Sequence, residues 1–528
     1  MTLVQNFPFF SIIIAMFSGI LSCALSGKKA RNLSLAVIAA TTVMSAAVLR
    51  FCMGTGESYT YMMGHFPAPW GNEIRAGVLE GLTATVFGVV MLLSVLGGMD
   101  HTAEDVEGTK LNLFYVMIDL MLSSLLALIY TNDLFTAYVF VEINTIAGCG
   151  LIMIRQKGRS LSAAIRYMIM SQLGSGLFLI GLSMLYDVTG HLLMSPARAA
   201  VEAIEAAGSY EIPMLVILAV ISVGLAIKSG LYPFHYWIPD TYGYATPTAS
   251  AILSGLVSKG YIFLLIKIFY RVLGRENVVA SQIVNVLFVF GLAGMLMGSL
   301  HAILEKDTRR MIAYSSVAQI GYIYMGIGLG TEAGMVAAVF HMFTHSATKA
   351  LLFISAVGLY EVSGDKKDYK SLRGAGYRNP LAGIGFSVGA LSMVGFPMLA
   401  GFIAMSIADR PGLAVGLVAG LIAKMGSTFA NPAGGDVNAG FLGALFAGFV
   451  GGYIVVGLRK LFSKLPKSLE GIKPVLLYPV IGIFLAAVVT TFINPYMGMI
   501  NDGLTHFLNG MGGTSRIVLG MVLGGMMS

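Results

Sequence analysis

Runs of about 20 apolar residues recur along the chain, and this pattern constrains its fold more than any other feature. A helix that spans a bilayer needs about 20 mostly apolar residues. About twelve such runs occur in the first three quarters of the 528 residues, centred near Ile14, Val43, Val89, Met121, Glu142, Leu177, Ile221, Leu256, Phe290, Ile320, Ala347 and Met393. The runs are continuous and contain Gly, Ser and Thr, which favours helices over an alternating β-barrel. The sequence therefore predicts an all-α polytopic membrane protein.

Composition excludes several other classes of protein. Charged residues make up 11% of the chain, against about 25% in soluble domains, so a soluble fold is excluded. The net charge of +7 is small for this length and gives no reason to expect nucleic acid as a partner. The three cysteines show neither metal-ligand spacing nor a disulfide framework. We therefore expect no metal site, no catalytic residues and no cofactor.

The basic residues indicate the orientation in the membrane. Positive charges concentrate in loops that follow odd-numbered spans, namely Lys28, Lys29, Arg31, Arg155, Lys157, Arg159, Lys306, Arg309, Arg310, Lys366, Lys367, Lys370, Arg373 and Arg378. Arg271 and Arg275, after span eight, are exceptions. Cytoplasmic loops carry the excess of Lys and Arg, so we expect the N-terminus outside a bacterial-type cytoplasmic (inner) membrane.

Four formal charges lie inside the predicted spans. Glu142 is in span five, Lys228 in span seven, Lys259 in span eight and Lys349 in span eleven. Together they would cost roughly 10–14 kcal/mol if they faced lipid. Any one of them alone is explained by a packing pair or by a side chain that reaches the membrane surface. Spread over four spans, they favour a polar pathway through the membrane.

Span eleven carries a titratable face. His341, His345 and Lys349 are spaced i, i+4 and i+8, so they share one side of a helix. Histidine exchanges a proton near neutral pH, and such a face can relay protons. The alternative is a packing face with hydrogen-bonded histidines.

Two spans are interrupted by proline. Span seven contains Gly230 and Pro233, and span twelve contains Pro397. Proline removes a backbone donor, and transporters place broken helices at ion sites. The two interrupted spans are five apart, which predicts an inverted-repeat fold with two repeats of about five helices.

Two further ionisable residues are harder to place from the sequence. Lys267 lies near the end of span eight, and we expect its ammonium group to reach the membrane surface. Asp119 lies in span four and faces either the polar pathway or the membrane interface.

Several longer motifs resemble one family over residues 1–404. They are Thr131-Asn132-Asp133-Leu134-Phe135, Pro233-Phe234-His235-Tyr236-Trp237-Ile238-Pro239-Asp240, Ala245-Thr246-Pro247-Thr248-Ala249-Ser250, Lys306-Asp307-Thr308-Arg309-Arg310, and His341 to Phe353. In this order they resemble the antiporter-like subunits of Mrp-type cation/proton antiporters and respiratory complex I. The segment Phe66-Pro67-Ala68-Pro69-Trp70-Gly71 resembles the Mrp D-type subunit in particular.

The resemblance implies roles for the buried charges. Glu142 and Lys228 would form a coupling pair, Lys259 would be the central relay, and His341, His345 and Lys349 would continue the path. The family has a further charge on helix twelve, where this chain has Met405. We therefore expect the chain to conduct protons poorly or not at all.

Residues 405–528 resemble a different family. Ser406 to Ala414 and Gly440 to Phe449 are similar to the membrane permease of fructose-type phosphotransferase systems. The sequence therefore predicts two regions, a proton-conducting domain over 1–404 and a permease-like fragment with about 3–5 helices over 405–528. This arrangement suggests a chimera.

The leading functional hypothesis is a proton-translocating subunit of a multisubunit Na⁺/proton antiporter, with other membrane subunits as partners and protons, with or without Na⁺, as the transported ions. One alternative is a proton-pumping subunit of a redox complex related to complex I or to membrane hydrogenases. Another is a sugar-permease fragment or an inactive membrane scaffold.

Overall fold

The structure is a computed structural model, and it describes residues 3–510 except 64–65, 67–70, 395, 436, 438, 465–472 and 474–476. The described residues divide into two compact units, those up to Phe386 and those from Ser387 onward. We describe each unit by itself.

The first unit is built almost entirely from helices. Its earlier helices are α1 (Phe7–Ala24), α2 (Gly27–Thr55), α3 (Val78–Asp105), α4 (Leu111–Tyr130), α5 (Leu134–Met153), α6 (Gly158–Thr189), α7 (Met194–Ala206) and α8 (Glu211–Ser229). Its later helices are α9 (Ile238–Tyr244), α10 (Pro247–Ile252), α11 (Ser258–Ile268), α12 (Arg275–Ala280), α13 (Ile283–Leu304), α14 (Thr308–Gly328), α15 (Glu332–Glu361) and α16 (Ala375–Arg378). The helix α17 (Pro380–Val394) crosses the boundary between the units.

Most predicted spans coincide with helices long and apolar enough to cross a membrane. Among the described residues twelve helices qualify, and ten of them match predicted spans before residue 404. The other two predicted spans fall on α14 and on the shorter α17. Helix α14 is less apolar because it carries Arg309, Arg310 and Gln319. The chain is thus an all-α polytopic membrane protein.

Span seven is discontinuous. Helix α8 ends at Ser229, and Gly230 follows with a φ of +81°, a left-handed conformation that glycine adopts without strain. A short 3-10 turn, Phe234–Trp237, then leads into α9. The break therefore lies at the Gly230–Pro233 segment, in which Gly230 and Leu231 are buried.

Helices α6 and α8 approach each other through two glycines. A Cβ atom on Gly174 would lie 2.8 Å from the carbonyl oxygen of Gly224, and a Cβ atom on Gly224 would lie 2.8 Å from the carbonyl oxygen of Gly174. The two backbones are therefore in contact, and this contact brings Lys228 on α8 against α6.

A small antiparallel sheet joins two connections on one face of the first unit. Strands β1 (Tyr59–Met62) and β2 (Glu73–Ala76) pair with each other, and the α4–α5 turn docks beside β2. The Asn132 amide donates to the Glu73 carbonyl, and the Leu134 amide donates to the Leu192 carbonyl. The turn is therefore bound on both sides. This two-stranded sheet departs from the purely helical structure that the sequence predicts.

The second unit contains α18 (Phe396–Met425), α19 (Gly440–Leu461) and α20 (Tyr478–Gly510). Its core consists of small residues, chiefly alanines, of which Ala419 and Ala447 are fully buried. Pro397 lies in the first turn of α18, after α17 ends at Val394. Helix α18 runs through residue 405, so the described helix is continuous where the two sequence resemblances meet.

Candidate functional site

Lys228 occupies the last turn of α8 and is fully buried. Its Nζ atom donates hydrogen bonds to the Ser175 hydroxyl on α6, at 2.8 Å, and to the Thr145 hydroxyl on α5. It also lies 5.1 Å from the centroid of the Tyr261 ring, in cation–π geometry. The groups that hold this ammonium are therefore neutral.

Glu142 lies one helical turn before Thr145 on α5 but makes no ion pair with Lys228 among the described residues. Its Oε2 atom accepts a 3.1 Å hydrogen bond from the Gln172 side chain on α6. Its Oε1 atom is buried without a described partner. Glu142 and Lys228, the expected coupling pair, therefore do not bond to each other directly: Lys228 donates to Thr145, and Glu142 accepts from Gln172.

Tyr261, whose ring contacts the Lys228 ammonium group, is itself hydrogen-bonded to α5 and, through α5, to α4. Its hydroxyl donates a 2.8 Å hydrogen bond to Asn144 Oδ1 on α5, and Asn144 Nδ2 donates to Ser124 on α4 at 2.9 Å. Both Tyr261 and Asn144 are buried. This chain of hydrogen bonds fixes the ring beneath the ammonium group.

Lys259 follows a π-helical segment, Leu253–Val257, at the start of α11. Because a π-helix widens the turn, its carbonyls no longer follow the α-helical pairing. The Lys259 ammonium donates to the Ser254 carbonyl in this segment. Lys259 is fully buried and, like Lys228, is held by a neutral oxygen.

Lys349 on α15 is held by α14. Its Nζ atom donates to the Ile312 carbonyl at 2.9 Å and to the Ser315 hydroxyl. Ser316, the next residue on α14, shares a 2.9 Å hydrogen bond with Ser254. The Lys259 and Lys349 environments are thus joined through neighbouring serines.

The two histidines of α15 stack on each other. The rings of His341 and His345 lie 6.0 Å apart at 9°. His341 Nε2 is hydrogen-bonded to Gln319 Oε1 at 2.6 Å, whereas both ring nitrogens of His345 lack a partner among the described residues. His345 therefore presents two free ring nitrogens inside the protein.

The ionisable residues lie in two neighbouring groups, Glu142 with Lys228 and Lys259 with His341, His345 and Lys349. Lys259 is close enough to interact electrostatically with His341, His345 and Lys349. The sequence-predicted residues therefore lie in an ordered row across α5, α8, α11 and α15. The hydroxyl and amide groups between them are neutral.

Arg309 explains why two of the motifs occur together. It is buried, and its guanidinium group donates to the Ala245 carbonyl at 2.5 Å and to the Ser250 hydroxyl at 2.8 Å. Thr246 caps α10 through the Ala249 amide. Arg309 of the Lys306–Arg310 motif therefore holds the loop formed by the Ala245–Ser250 motif.

The expectation for Lys267 is wrong. Its side chain is 2% exposed and points into the protein, where Nζ donates to the Ile129 carbonyl at 2.9 Å and to the Thr131 and Leu128 carbonyls. The last carbonyls of a helix lack intrahelical partners and carry partial negative charge. Lys267 therefore closes the C-terminal end of α4 instead of reaching the membrane surface.

Asp119 belongs to neither of the two expected places. It is fully buried between α4, α1 and α2, and its hydrogen-bond partners are serine hydroxyls.

Sequence reasoning missed the side chains that hold the lysines. Thr145, which accepts from Lys228, and Asn144, which accepts from the Tyr261 hydroxyl, are polar residues close to Glu142 in an apolar span, and this polarity marks them in the sequence. Ser175 gives no such signal, because serines are common along α6.

Comparison with known proteins decides the family. Residues 131–429 match the family described as NADH:quinone oxidoreductase/Mrp antiporter, transmembrane region. The chain belongs to this family. Its matched segment contains every residue of the row from Glu142 to Lys349.

Curated members of the family come from two kinds of complex. The chain is 31% identical over 404 residues to the N-type subunit of the NADH-quinone oxidoreductase of Desulforudis audaxviator, covering 75% of this chain and 78% of that protein. It is 27% identical over 343 residues to the D-type subunit of the Na⁺/H⁺ antiporter of Alkalihalophilus pseudofirmus, covering 64% and 67%.

Two solved structures share the fold. A chain of the Mrp complex from Dietzia sp. superposes with a TM-score of 0.66 at 24% identity, covering 85% of this chain and 78% of that chain. A chain of the membrane-bound sulfane sulfur reductase, an archaeal respiratory membrane complex, superposes with a TM-score of 0.65 at 22% identity, covering 94% and 99%. The protein is thus a membrane subunit of the antiporter and complex I type.

Proposed function

We propose that the chain translocates protons along the row Glu142, Lys228, Lys259, His341, His345 and Lys349. The observation that carries the proposal is that three fully buried lysines, Lys228, Lys259 and Lys349, are held by neutral oxygens. Ionisable residues inside a membrane bundle are expensive and mark ion pathways.

The neutral surroundings suit proton exchange. A lysine paired with a carboxylate must break an ion pair when it loses its proton, and leaving a buried charge unpaired is costly. Lys228 has hydroxyl partners that remain acceptable hydrogen-bonding groups after deprotonation, because a hydroxyl both donates and accepts. Lys228 can therefore lose its proton without leaving an unpaired carboxylate in direct contact with it.

The exchanged cation is Na⁺ in this proposal, and the complex is a multisubunit cation/proton antiporter. The support is the similarity to the D-type subunit of a Na⁺/H⁺ antiporter and the shared fold with a chain of the Mrp complex. The partners are other membrane subunits, and the membrane is the bacterial cytoplasmic one with the N-terminus outside.

A second candidate function is favoured by a separate observation. The identity to the N-type subunit of a NADH-quinone oxidoreductase is higher, and a respiratory complex chain is covered over 99% of its length. In that case electron transfer in partner subunits drives the protons. Flux that needs an electron donor favours this candidate, whereas flux driven by a Na⁺ gradient favours the antiporter.

The test compares Lys228→Ala with Lys370→Ala in vesicles that contain the chain and its co-purified membrane subunits. Both variants remove one lysine, but Lys228 is fully buried and Lys370 is an exposed loop residue. We expect Lys228→Ala to abolish proton flux and Lys370→Ala to leave it unchanged. Equal flux in Lys228→Ala and the parent chain would contradict the pathway.

We also propose that residues 405–528 are a permease-like segment joined to the antiporter-like region. The family match continues to residue 429, beyond this junction, so the proposal rests on the motifs of the tail alone. Mass spectrometry of native cells tests it through a peptide that crosses Ala404–Met405. Its absence beside abundant flanking peptides would identify the junction as artificial, and its detection would establish a natural chain.

Met405 bears on the efficiency of the pathway. It is half-buried in α18, and a thioether neither binds nor releases a proton. We expect Met405→Lys alone to restore little flux, and replacement of 405–528 by a family-type segment to restore far more. Full flux in the unmodified chain would show that a charge at residue 405 is dispensable.

A further inference from the structure

The inference concerns Asp119 and three serines in a part of the molecule that the proposed pathway does not use. Asp119 Oδ2 accepts hydrogen bonds from Ser18 at 2.7 Å and from Ser22 at 3.3 Å, and Oδ1 accepts one from Ser34 at 2.5 Å. All four side chains are buried. The two carboxylate oxygens and three hydroxyl oxygens come from α4, α1 and α2.

This carboxyl group lacks a basic neighbour. Within the described ranges no Lys, Arg or His nitrogen lies within 4.0 Å of Asp119. A buried ionised carboxylate requires a compensating charge, and serine hydroxyls supply hydrogen bonds but no charge. A positive charge beside the carboxylate, supplied by a proton or by a bound cation, would therefore lower the free energy of this buried group.

The ligand set indicates which cation fits. One carboxylate supplies one negative charge, whereas Ca²⁺ sites gather several charged or carbonyl oxygens. The single carboxylate therefore favours a cation with one positive charge, and the Ser18, Ser22 and Ser34 hydroxyls place neutral oxygen atoms beside it. A proton on the carboxyl group satisfies the same charge requirement.

The site lies nearer to one end of the helices that form it. Asp119 lies eight residues after the start of α4, which corresponds to about 12 Å of helix. Ser22 is two residues before the end of α1, and Asn112 at the start of α4 bonds to the Cys23 carbonyl at 3.1 Å. The site therefore lies about two helical turns from the face that carries the α1–α2 loop.

The titratable and charged groups around the site lie toward that face. Tyr115 is one turn before Asp119 on α4 and interacts electrostatically with Arg31 of α2 and Asp100 of α3. Cys23 follows Ser22 near the end of α1. On the opposite side of α4, Met121 and Ser124 bond to Asn144 of α5, so the lysine row meets a different face of this helix.

We propose that Asp119, Ser18, Ser22 and Ser34 form a binding site for one monovalent cation, either a proton or a dehydrated Na⁺. The proposal goes beyond the lysine pathway and is tested by binding, not by flux. The two cations share one requirement, a single positive charge beside the carboxylate.

Infrared difference spectroscopy tests the site in the full chain, using Asp119→Asn as the reference. In choline chloride at neutral pH we expect the parent chain to show a protonated-carboxyl band that the variant lacks. A decrease of this band in equal NaCl, together with a Na⁺-dependent rise in Tm that Asp119→Asn lacks, identifies competition by Na⁺. A band unchanged by NaCl identifies the proton as the bound cation.

A pair of serine variants keeps the test independent of how Asp119→Asn folds. Ser34→Ala removes the partner of Oδ1, whereas Ser123→Ala removes a buried hydroxyl on α4 that bonds to the Ile12 carbonyl of α1 at 2.9 Å. We expect Ser34→Ala to shift the carboxyl band or the Na⁺ response and Ser123→Ala to change neither. Neither a protonated band nor a Na⁺ response in the parent chain would overturn the proposal.

Discussion

The Nζ atom of Lys228 on α8 lies 2.8 Å from the Ser175 hydroxyl on α6. This contact depends on the close approach of the two helices at Gly174 and Gly224. The position of the proposed pathway therefore rests on the packing of α6 against α8, and not on a direct attraction between Lys228 and Glu142.

The hydroxyl of Ser175 should matter for proton flux. Ser175→Ala removes one of two acceptors of Lys228, and we expect flux to fall about tenfold, which corresponds to about 1.4 kcal/mol, near the value of one hydrogen bond to a charged group. Ser222→Ala on α8 is the control, since the Ser222 hydroxyl is buried without a described partner. A flux assay in vesicles checks both, and equal flux in the two variants would contradict a role for Ser175.

The glycine contact between α6 and α8 predicts a difference between two alanine variants. Gly174→Ala places a methyl group 2.8 Å from the Gly224 carbonyl oxygen and 2.9 Å from Lys228 Cγ, so the helices must separate. We expect a loss of about 1–3 kcal/mol in stability. Gly176→Ala, on the same helix, meets no atom within 4 Å and should be neutral or more stable by up to about 1 kcal/mol. Thermal unfolding in detergent measures both, and similar Tm values would show that the contact relaxes freely.

Lys267 should contribute strongly to stability. Lys267→Met leaves the Leu128, Ile129 and Thr131 carbonyls without this donor, and we expect a loss of about 2–4 kcal/mol. Lys110→Met at the other end of α4 removes a partly exposed pair with Glu107, and it should cost less than about 1 kcal/mol. The measurement is again Tm, and a larger effect at Lys110 would reverse the assignment.

Lys367, in the loop after α15, should make stability depend on pH. Burial, and secondarily the Arg309 guanidinium, lowers the pKa of Lys367 from its usual 10.5 to about 8. Between these values the folded protein binds fewer protons than the unfolded chain, so the free energy of unfolding rises with pH. In Lys367→Gln we expect the Tm at pH 9.5, relative to the Tm at pH 7, to be lower than in the parent chain. In Lys366→Gln, whose parent side chain is exposed, we expect this difference in Tm to stay unchanged. An identical pH response in both variants would contradict this account.

The fold follows from sequence patterns that depend on local chemistry. Apolar length predicts the membrane helices, and Gly230 with Pro233 predicts where span seven breaks. The i, i+4 and i+8 spacing predicts that His341 and His345 share a face, and their rings do stack. Such features involve residues close together in the chain.

The partners of the buried charges could not be predicted in the same way. Glu142 is the obvious counter-charge for Lys228, but Thr145 and Ser175 lie nearer because the glycine contact sets how deeply α8 packs against α6. Lys267 lies near the end of a span, which favours a surface position in sequence. Its actual position depends on where α4 ends, and no pattern within α11 contains that information.

The turn between α4 and α5 has a consequence for amide hydrogen exchange. The amides of Thr131, Asn132 and Leu134 are bonded to backbone carbonyls, and the Asp133 amide bonds to the Thr131 hydroxyl. Exchange at a surface turn is ordinarily fast, but here it requires the turn to detach from β2, from the segment before α7 and from itself. Deuterium uptake at these four amides therefore reports the collective opening of one face of the protein rather than the motion of a loop.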